Sequence, residues 1–245
     1  MALPTQPTVA DPNPDRIRAL IYGTPGAGKT TFAARWFPET TLIIDLEGGT
    51  RMIPGQHFIV RPETYTAFQM VVSELLTQSH QFKAVVIDTA DALVRMAEAE
   101  AAAKFGKQSA AEVEYGKGMG NRDAVVLRDL LRLKGSDLGL IVTAHPVLAD
   151  VKLGDEDAQS WFPRIDQQDR IRQAVIGEFD YLLAIRKHPD ESRDLVTGGT
   201  PGIETKRRVA LPNVMPADPA ALQAAVIAAY QQINTPTPTQ EVAAA

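Results

Sequence analysis

The chain reads as an α/β protein with a central, mostly parallel sheet flanked by helices on both faces. Three observations predict this. Short apolar runs recur along the chain without the alternating polar positions of a half-exposed strand. Between them lie longer segments with apolar residues at helical spacing. The first apolar run also leads directly into a glycine-rich turn and then a helix, the strand–turn–helix unit of phosphate-binding α/β proteins.

Residues 1–15 are proline-rich and polar and are expected to form a flexible N-terminal segment. The globular domain is expected over 16–232. Ile17–Tyr22 is its first strand, and Thr31–Trp36 forms the first turns of a helix. Thr41–Asp45 is a second strand, and Thr64–Gln78 is a helix with Phe68, Val71, Val72, Leu75 and Leu76 at helical spacing. Ala84–Asp88 is a third strand, followed by an alanine-rich helix over Asp91–Lys104. A helix over Asn121–Leu133 is expected to open with Asn121 as its N-cap. Leu138–Thr143 and Tyr181–Arg186 are the fourth and fifth strands. Residues 233–245, with Thr235-Pro236-Thr237-Pro238-Thr239, are expected to be a disordered tail.

At 245 residues the chain can bury one large α/β core with appendages. A net charge of −5 argues against a broadly basic nucleic-acid surface but permits a local basic groove. With no cysteine, disulfides, thiolate metal sites and cysteine nucleophiles are excluded. His57, His80, His145 and His188 lack ligand spacing, so no structural zinc is expected. No apolar run is long enough to span a membrane and no charged-then-apolar leader is visible; the expectation is a cytoplasmic protein without membrane association.

Gly23-Thr24-Pro25-Gly26-Ala27-Gly28-Lys29-Thr30 is a complete phosphate-binding loop. Its backbone N–H groups, with those of the helix start at Thr31, converge on one spot, and the positive end of the helix dipole lies behind them. Lys29 is placed to reach the β- and γ-phosphates, and the Thr30 hydroxyl to ligate Mg²⁺. The ligand expected here is a nucleoside triphosphate.

In open α/β sheets, ligands sit beyond the carboxyl ends of the strands. Three polar sites occur there. Asp88 ends Val85-Val86-Ile87-Asp88 and suits Mg²⁺ binding through water. Asp45 and Glu47 lie two apart and share a face if the second strand continues. Glu47 has the longer reach and precedes Gly48 and Gly49, so it is the expected catalytic acid that orients water. His145 ends Ile141-Val142-Thr143-Ala144-His145 and is placed to sense the γ-phosphate.

Together these residues resemble the RecA-like P-loop ATPases, and among them the small phage ATPases of the Sak type, which act in single-strand annealing and recombination. The resemblance rests on Gly23–Thr30, Ile43-Ile44-Asp45-Leu46-Glu47, Ala84–Thr89, Glu114-Tyr115-Gly116-Lys117-Gly118 and Ile141–His145, and covers roughly residues 17–210. It implies a RecA-like domain using ATP and Mg²⁺, with Lys29, Glu47 and His145 as catalytic residues and Asp88 as the Mg²⁺ acid. RecA itself has a glutamine at the sensor position, so His145 departs from the pattern. It further implies a ring or filament of identical subunits, a single-strand binding protein as partner, and single-stranded DNA bound by two mobile loops. Those loops map to 104–122 and 146–172. Lys206 and Arg207 map to the area where basic residues reach a neighbouring subunit's nucleotide.

The first loop holds Lys104, Phe105, Lys107, Tyr115, Lys117 and Arg122, a mixture suited to phosphate neutralisation and base stacking. The second holds Lys152, Trp161, Phe162 and Arg164, but also the repelling run Asp155-Glu156-Asp157. Two other classes use the same scaffold. A small-molecule kinase would need an arginine lid, for which Arg164, Arg170 and Arg172 are available. A partition-type ATPase normally has an extra lysine where Thr24 stands, and a GTPase would carry an Asn-Lys-x-Asp reader, which is absent.

Overall fold

The computed structural model describes residues 13–153, 156–165 and 169–234; the expectations for residues 1–12 and 235–245 lie outside them. The core strands are β1 (Arg18–Tyr22), β2 (Thr41–Asp45), β3 (Phe58–Val60), β4 (Ala84–Asp88), β5 (Gly139–Leu153), β6 (Glu156–Arg164) and β7 (Tyr181–Lys187). β8 (Arg193–Val196) and β9 (Val214–Pro216) complete a nine-stranded sheet among the described residues. Its order is β3-β2-β4-β5-β1-β7-β8-β9, with β6 off this path and paired to β5. From β3 to β7 all pairing is parallel; β8, β9 and β6 pair antiparallel.

The central strands are apolar along their middles because each face meets a helical layer, with polar residues such as Asp45, Asp88 and Thr143 kept to the carboxyl edge. In β1, Leu20 and Tyr22 face one core, while Ala19 and Ile21 face the other. β4 divides the same way, with Val85 and Ile87 opposite Ala84 and Val86. The first core is closed by α2 (Tyr65–Thr77), α3 (Ala90–Lys104), α4 (Lys117–Lys134) and α5 (Asp169–Glu178), through side chains such as Phe68, Leu93, Val126 and Val175. The second is closed by α1 (Lys29–Ala34) and α6 (Pro219–Asn234), through Phe32, Leu222 and Val226. This is the fold expected from the sequence: α/β, mostly parallel, helices on both faces.

Three local expectations are corrected. α4 starts at Lys117, a turn before Asn121, so Asn121 is an internal helix residue and not a cap. The second strand ends at Asp45, and the chain turns there; Asp45 and Glu47 therefore do not share a strand face. The stretch after His145 is no open loop: β5 runs on to Leu153 and pairs antiparallel with β6 from His145↔Arg164 to Leu153↔Glu156. On this arm Val147 and Ala149 are partly covered, while Leu148 and Asp150 face solvent, the period of two expected of a half-exposed hairpin.

Candidate functional site

The strand order determines which residues meet. β5 lies between β1, which leads into the glycine-rich loop, and β4, which ends in Asp88. The loop leaves β1 at Gly23 and enters α1 through Gly28, whose φ of 96° is left-handed and open to glycine without strain. No side chain caps α1, so its first N–H groups remain as donors for a ligand. Lys29 is buried, and its Nζ donates to the carbonyls of Gly23 (2.8 Å) and Thr24 (3.2 Å), arching over the loop. Burial lowers its pKa, opposed by the negative charges of Asp88, Asp91 and Glu47.

Thr30 Oγ1 donates to Asp88 Oδ2 at 2.9 Å. Thr143, carried on β5 opposite Ile21 of β1, donates to Asp88 Oδ1. Burial raises the Asp88 pKa against these two hydroxyl bonds, and Asp45 and Glu47 raise it further. Gly49 lies against this pair: a Cβ there would stand 3.3 Å from Asp88 Oδ2 and 3.5 Å from Thr30 Oγ1. A carboxylate and a hydroxyl side by side, with only a glycine in front, fit a hard divalent cation that takes oxygen ligands and keeps its waters. The helix after Asp88 is capped by Thr89, which accepts from Ala92 N–H, so Asp88 is not spent as a cap.

The two acids after β2 are used differently. Asp45 is buried and holds its own turn: it accepts from the N–H groups of Gly48 (2.7 Å) and Gly49 (3.1 Å), from Thr50 Oγ1 (2.5 Å) and from Arg61 Nε (3.0 Å). Burial alone would raise its pKa, but bonds from Thr50, Arg61 and the turn's N–H groups bring it below the usual carboxylate range. Glu47 is instead presented outward from that turn. Its Oε1 accepts from Arg95 Nη2 at 2.8 Å, and its Oε2 lies 4.0 Å from His145 Nε2. His145 is the first residue of β5 past the pairing with β1, and its Nδ1 meets Asp91 Oδ2 at 2.9 Å. Burial would raise the Asp91 pKa; bonds from His145 and Thr89 reverse this and hold it low. Arg164, across the hairpin from His145, sits 4.0 Å from Asp91.

The phosphate loop, Asp88, Glu47 and His145 thus gather at one place. Thr143, Asp91, Arg95 and Arg164 join them without having been singled out for this site. Asp91 and Arg95 are four apart on α3, a spacing that places them on one helix face and was visible in the sequence. On the α1 side of the loop a cavity of about 240 Å³ opens between Phe32, Arg35, Ile185, Arg193 and Pro219. Arg193 Nε donates to the Ala27 carbonyl at 3.1 Å and braces the loop; no local signal marked it.

The residues expected to meet DNA fall on the α3–α4 side and on the β5–β6 arm. Lys104, Phe105 and Lys107 are exposed at the far end of α3, which starts beside the site and runs about 22 Å at 1.5 Å per residue. Lys117 is exposed in the first turn of α4. The Tyr115, Lys152 and Arg170 side chains lie outside the described residues. Arg122 is a correction: it is fully buried on the inner face of α4, 2.7 Å from Asp123 and 3.6 Å from Glu98, and cannot present its charge to a phosphate backbone. Trp161 is 43% exposed and borders a separate cavity of about 280 Å³ with Tyr22, Gly23, Thr24, Pro146 and Ile203.

Lys206 and Arg207 are engaged within their own chain. Lys206 Nζ donates to the Gly177 carbonyl at 3.1 Å near the end of α5, and Arg207 Nη1 to the Leu211 carbonyl. Arg172 is buried with its guanidinium 4.7 Å from the Phe162 ring centroid, which removes it from any kinase-type lid.

A parallel sheet with a glycine-rich loop on its first strand and a Thr30–Asp88 pair beyond the next strand but one defines a P-loop nucleotide-binding protein. An AAA-domain family model matches residues 15–209, and the chain belongs to that family, as an AAA-type P-loop ATPase. No curated protein matches the chain. No helix among the described residues is long and apolar enough to cross a membrane.

Proposed function

We propose that the chain hydrolyses ATP with Mg²⁺ and that it acts on single-stranded DNA in recombination or strand annealing. The hydrolytic reading is carried by the convergence of Lys29, the Thr30–Asp88 pair, and Glu47 backed by His145 and Asp91. Lys29 releases its two loop carbonyls to neutralise the β- and γ-phosphates, while the loop N–H groups bind the phosphate oxygens. Thr30 and Asp88 would hold Mg²⁺, which supplies charge neutralisation on the phosphates. Glu47 orients a water against the γ-phosphorus and accepts its proton as the bond from phosphorus to the β-bridging oxygen breaks, the electron pair leaving with ADP. The cavity beside α1 gives room for the nucleoside, between the faces and donors of Arg35 and Arg193.

Glu47→Gln keeps the shape and loses the charge. ATP should still bind, while turnover falls by about 10²-fold or more. If Glu47→Gln turns over at the wild-type rate and Asp45→Asn does not, the acid has been assigned to the wrong residue. The tight use of Asp45 inside its own turn argues for Glu47.

The DNA reading is supported by the phage-type resemblance, by Lys104 and Lys107 exposed beside Phe105, and by an exposed Trp161 next to the first residues of the phosphate loop. An oligomer of identical subunits and a single-strand binding protein as partner belong to the same proposal. Trp161→Ala should cost about 1–3 kcal/mol in affinity for a fluorescent oligonucleotide if a base stacks there. Absence of binding by the wild-type protein at low salt, with and without a non-hydrolysable ATP analogue, would remove DNA and leave the ATPase.

A further inference from the structure

Glu47 does not stand alone at the site; it is one corner of a closed ring of polar side chains with Arg95, Asp91 and His145. Arg95 Nη2 reaches Glu47 Oε1 at 2.8 Å, and Arg95 Nη1 reaches Asp91 Oδ2 at 3.2 Å. Asp91 Oδ2 meets His145 Nδ1 at 2.9 Å, and His145 Nε2 returns to Glu47 Oε2 at 4.0 Å. The ring joins three parts of the sheet's carboxyl edge: the turn after β2, the first turns of α3 after β4, and the end of the β1-paired part of β5. We infer that Arg95 is a positioning residue for hydrolysis, fixing the Glu47 carboxylate through Asp91 in an orientation that leaves Oε2 turned toward His145 and available to the attacking water. The inference rests on the reading of Glu47 as the water-orienting acid.

An exposed ion pair is worth little to stability, and the Arg95 side chain is 60% exposed. Orientation is a separate matter. Asp91 is only 6% exposed at its side chain and is held by the His145 ring and the His145 N–H, so it is a fixed post. A guanidinium is planar, with its two terminal nitrogens in a rigid fork, so anchoring one on Asp91 fixes where the other stands. Glu47 sits on a turn with glycines on its C-terminal side, and its own backbone gives the side chain no comparable restraint. The fork occupies Oε1 and leaves Oε2. Lysine offers the same charge as a single point and cannot bridge the two acids in this way.

The same three residues, Glu47, Asp91 and His145, offer ligand atoms within 4.8 Å of one another, a spacing a cation could use. Arg95 already places a positive charge against both carboxylates, which makes the guanidinium the cation of this cluster.

The test is steady-state ATP turnover and binding of a non-hydrolysable analogue for the wild type, Arg95→Ala, Arg95→Lys, Glu47→Gln and the Arg95→Ala/Glu47→Gln double variant. Misplacing a catalytic group by about an ångström costs on the order of tenfold to a hundredfold in rate. Arg95→Ala should therefore lower kcat at least about tenfold, with KM and analogue affinity within about twofold of wild type and an unchanged melting curve. Arg95→Lys should recover little of the lost rate. The double variant should be no slower than Glu47→Gln, since Arg95 has nothing left to position. A wild-type or raised kcat in Arg95→Ala, beside a slow Glu47→Gln, would overturn the role of Arg95 and leave Glu47 standing. Multiplying losses in the double variant would do the same. A normal rate in Glu47→Gln would instead fail the underlying reading. Mn²⁺ bound to the nucleotide-free protein, seen by electron paramagnetic resonance and lost on His145→Ala, would put a metal where Arg95 is assigned.

Discussion

At the scale of single residues, Asp88 carries the clearest tension. It is buried, which raises its pKa, yet both its oxygens accept from hydroxyls, Thr30 on one side and Thr143 on the other. Thr143→Val keeps the shape and removes one donor. A buried acceptor left unmet costs about 1–3 kcal/mol, so the melting temperature should fall and ATP turnover should need more Mg²⁺. A variant with wild-type melting and wild-type Mg²⁺ dependence would show that Thr143 is only a neighbour. Lys29, Thr30 and Asp88 were legible in the sequence because a contiguous loop and an acid ending an apolar run are local signals. Thr143 was not, because its role comes from β5 lying between β1 and β4, and strand order is not written in any one segment. The Asp91–Arg95 spacing was visible, but its partner Glu47 is 48 residues from Arg95. Arg122 was misplaced for a related reason: composition grouped it with the lysines, whereas the phase of a helix starting at Lys117 turns it inward.

At the scale of elements, the turn after β2 is held by one carboxylate. Asp45 gathers the N–H groups of the turn, Thr50 and Arg61, and so presents Glu47 and seats Gly49 against the Thr30–Asp88 pair. Asp129 does similar work between α2 and α4, accepting from Tyr65 (3.0 Å) and Gln69 (2.8 Å). In Asp45, Asp91 and Asp129 burial pushes the pKa up, and hydrogen bonds overcome it and leave each carboxyl below its ordinary range. A lowered folded pKa gives stability that is present above the unfolded value, about pH 4, and is lost as pH falls through the folded values. Asp88, raised, works the other way: it weakens the fold at neutral pH and is relieved in acid. Among these four buried carboxyls three are lowered against one raised, which predicts a melting temperature that is flat through neutral pH and drops below about pH 4. Asp45→Asn should melt lower at pH 7 and show a shallower acid drop; an unchanged acid slope would remove Asp45 from that balance. The β5–β6 arm was hidden because Pro146 breaks the strand signal just where the antiparallel pairing begins, and proline is confined to such edges.

At the scale of the whole molecule, the sheet places the residues of the candidate site along one edge. The loop after β1, the turn after β2, the end of β4 and the place where β5 leaves its pairing with β1 all lie at the carboxyl edge of the parallel strands, where ligands of open α/β sheets bind. That much follows from apolar runs buried between two helical cores, a pattern the sequence carries plainly. The cations expected to meet DNA obey no such rule. Their exposure depends on the phase of the helices: Lys104, Lys107 and Lys117 are exposed at the far end of α3 and in the first turn of α4, while Arg122 is turned inward. Lys29 decides whether this edge binds and hydrolyses ATP, as proposed. It is the loop's only side-chain cation, it is buried, and among the described residues its hydrogen bonds go to the loop's own carbonyls, Gly23 and Thr24. Mg²⁺-dependent ATP turnover should be measured for the wild type and Lys29→Ala side by side, with thermal melts to show both are folded. Turnover in the wild type that disappears in folded Lys29→Ala is the predicted result. Equal turnover in the two proteins would contradict it.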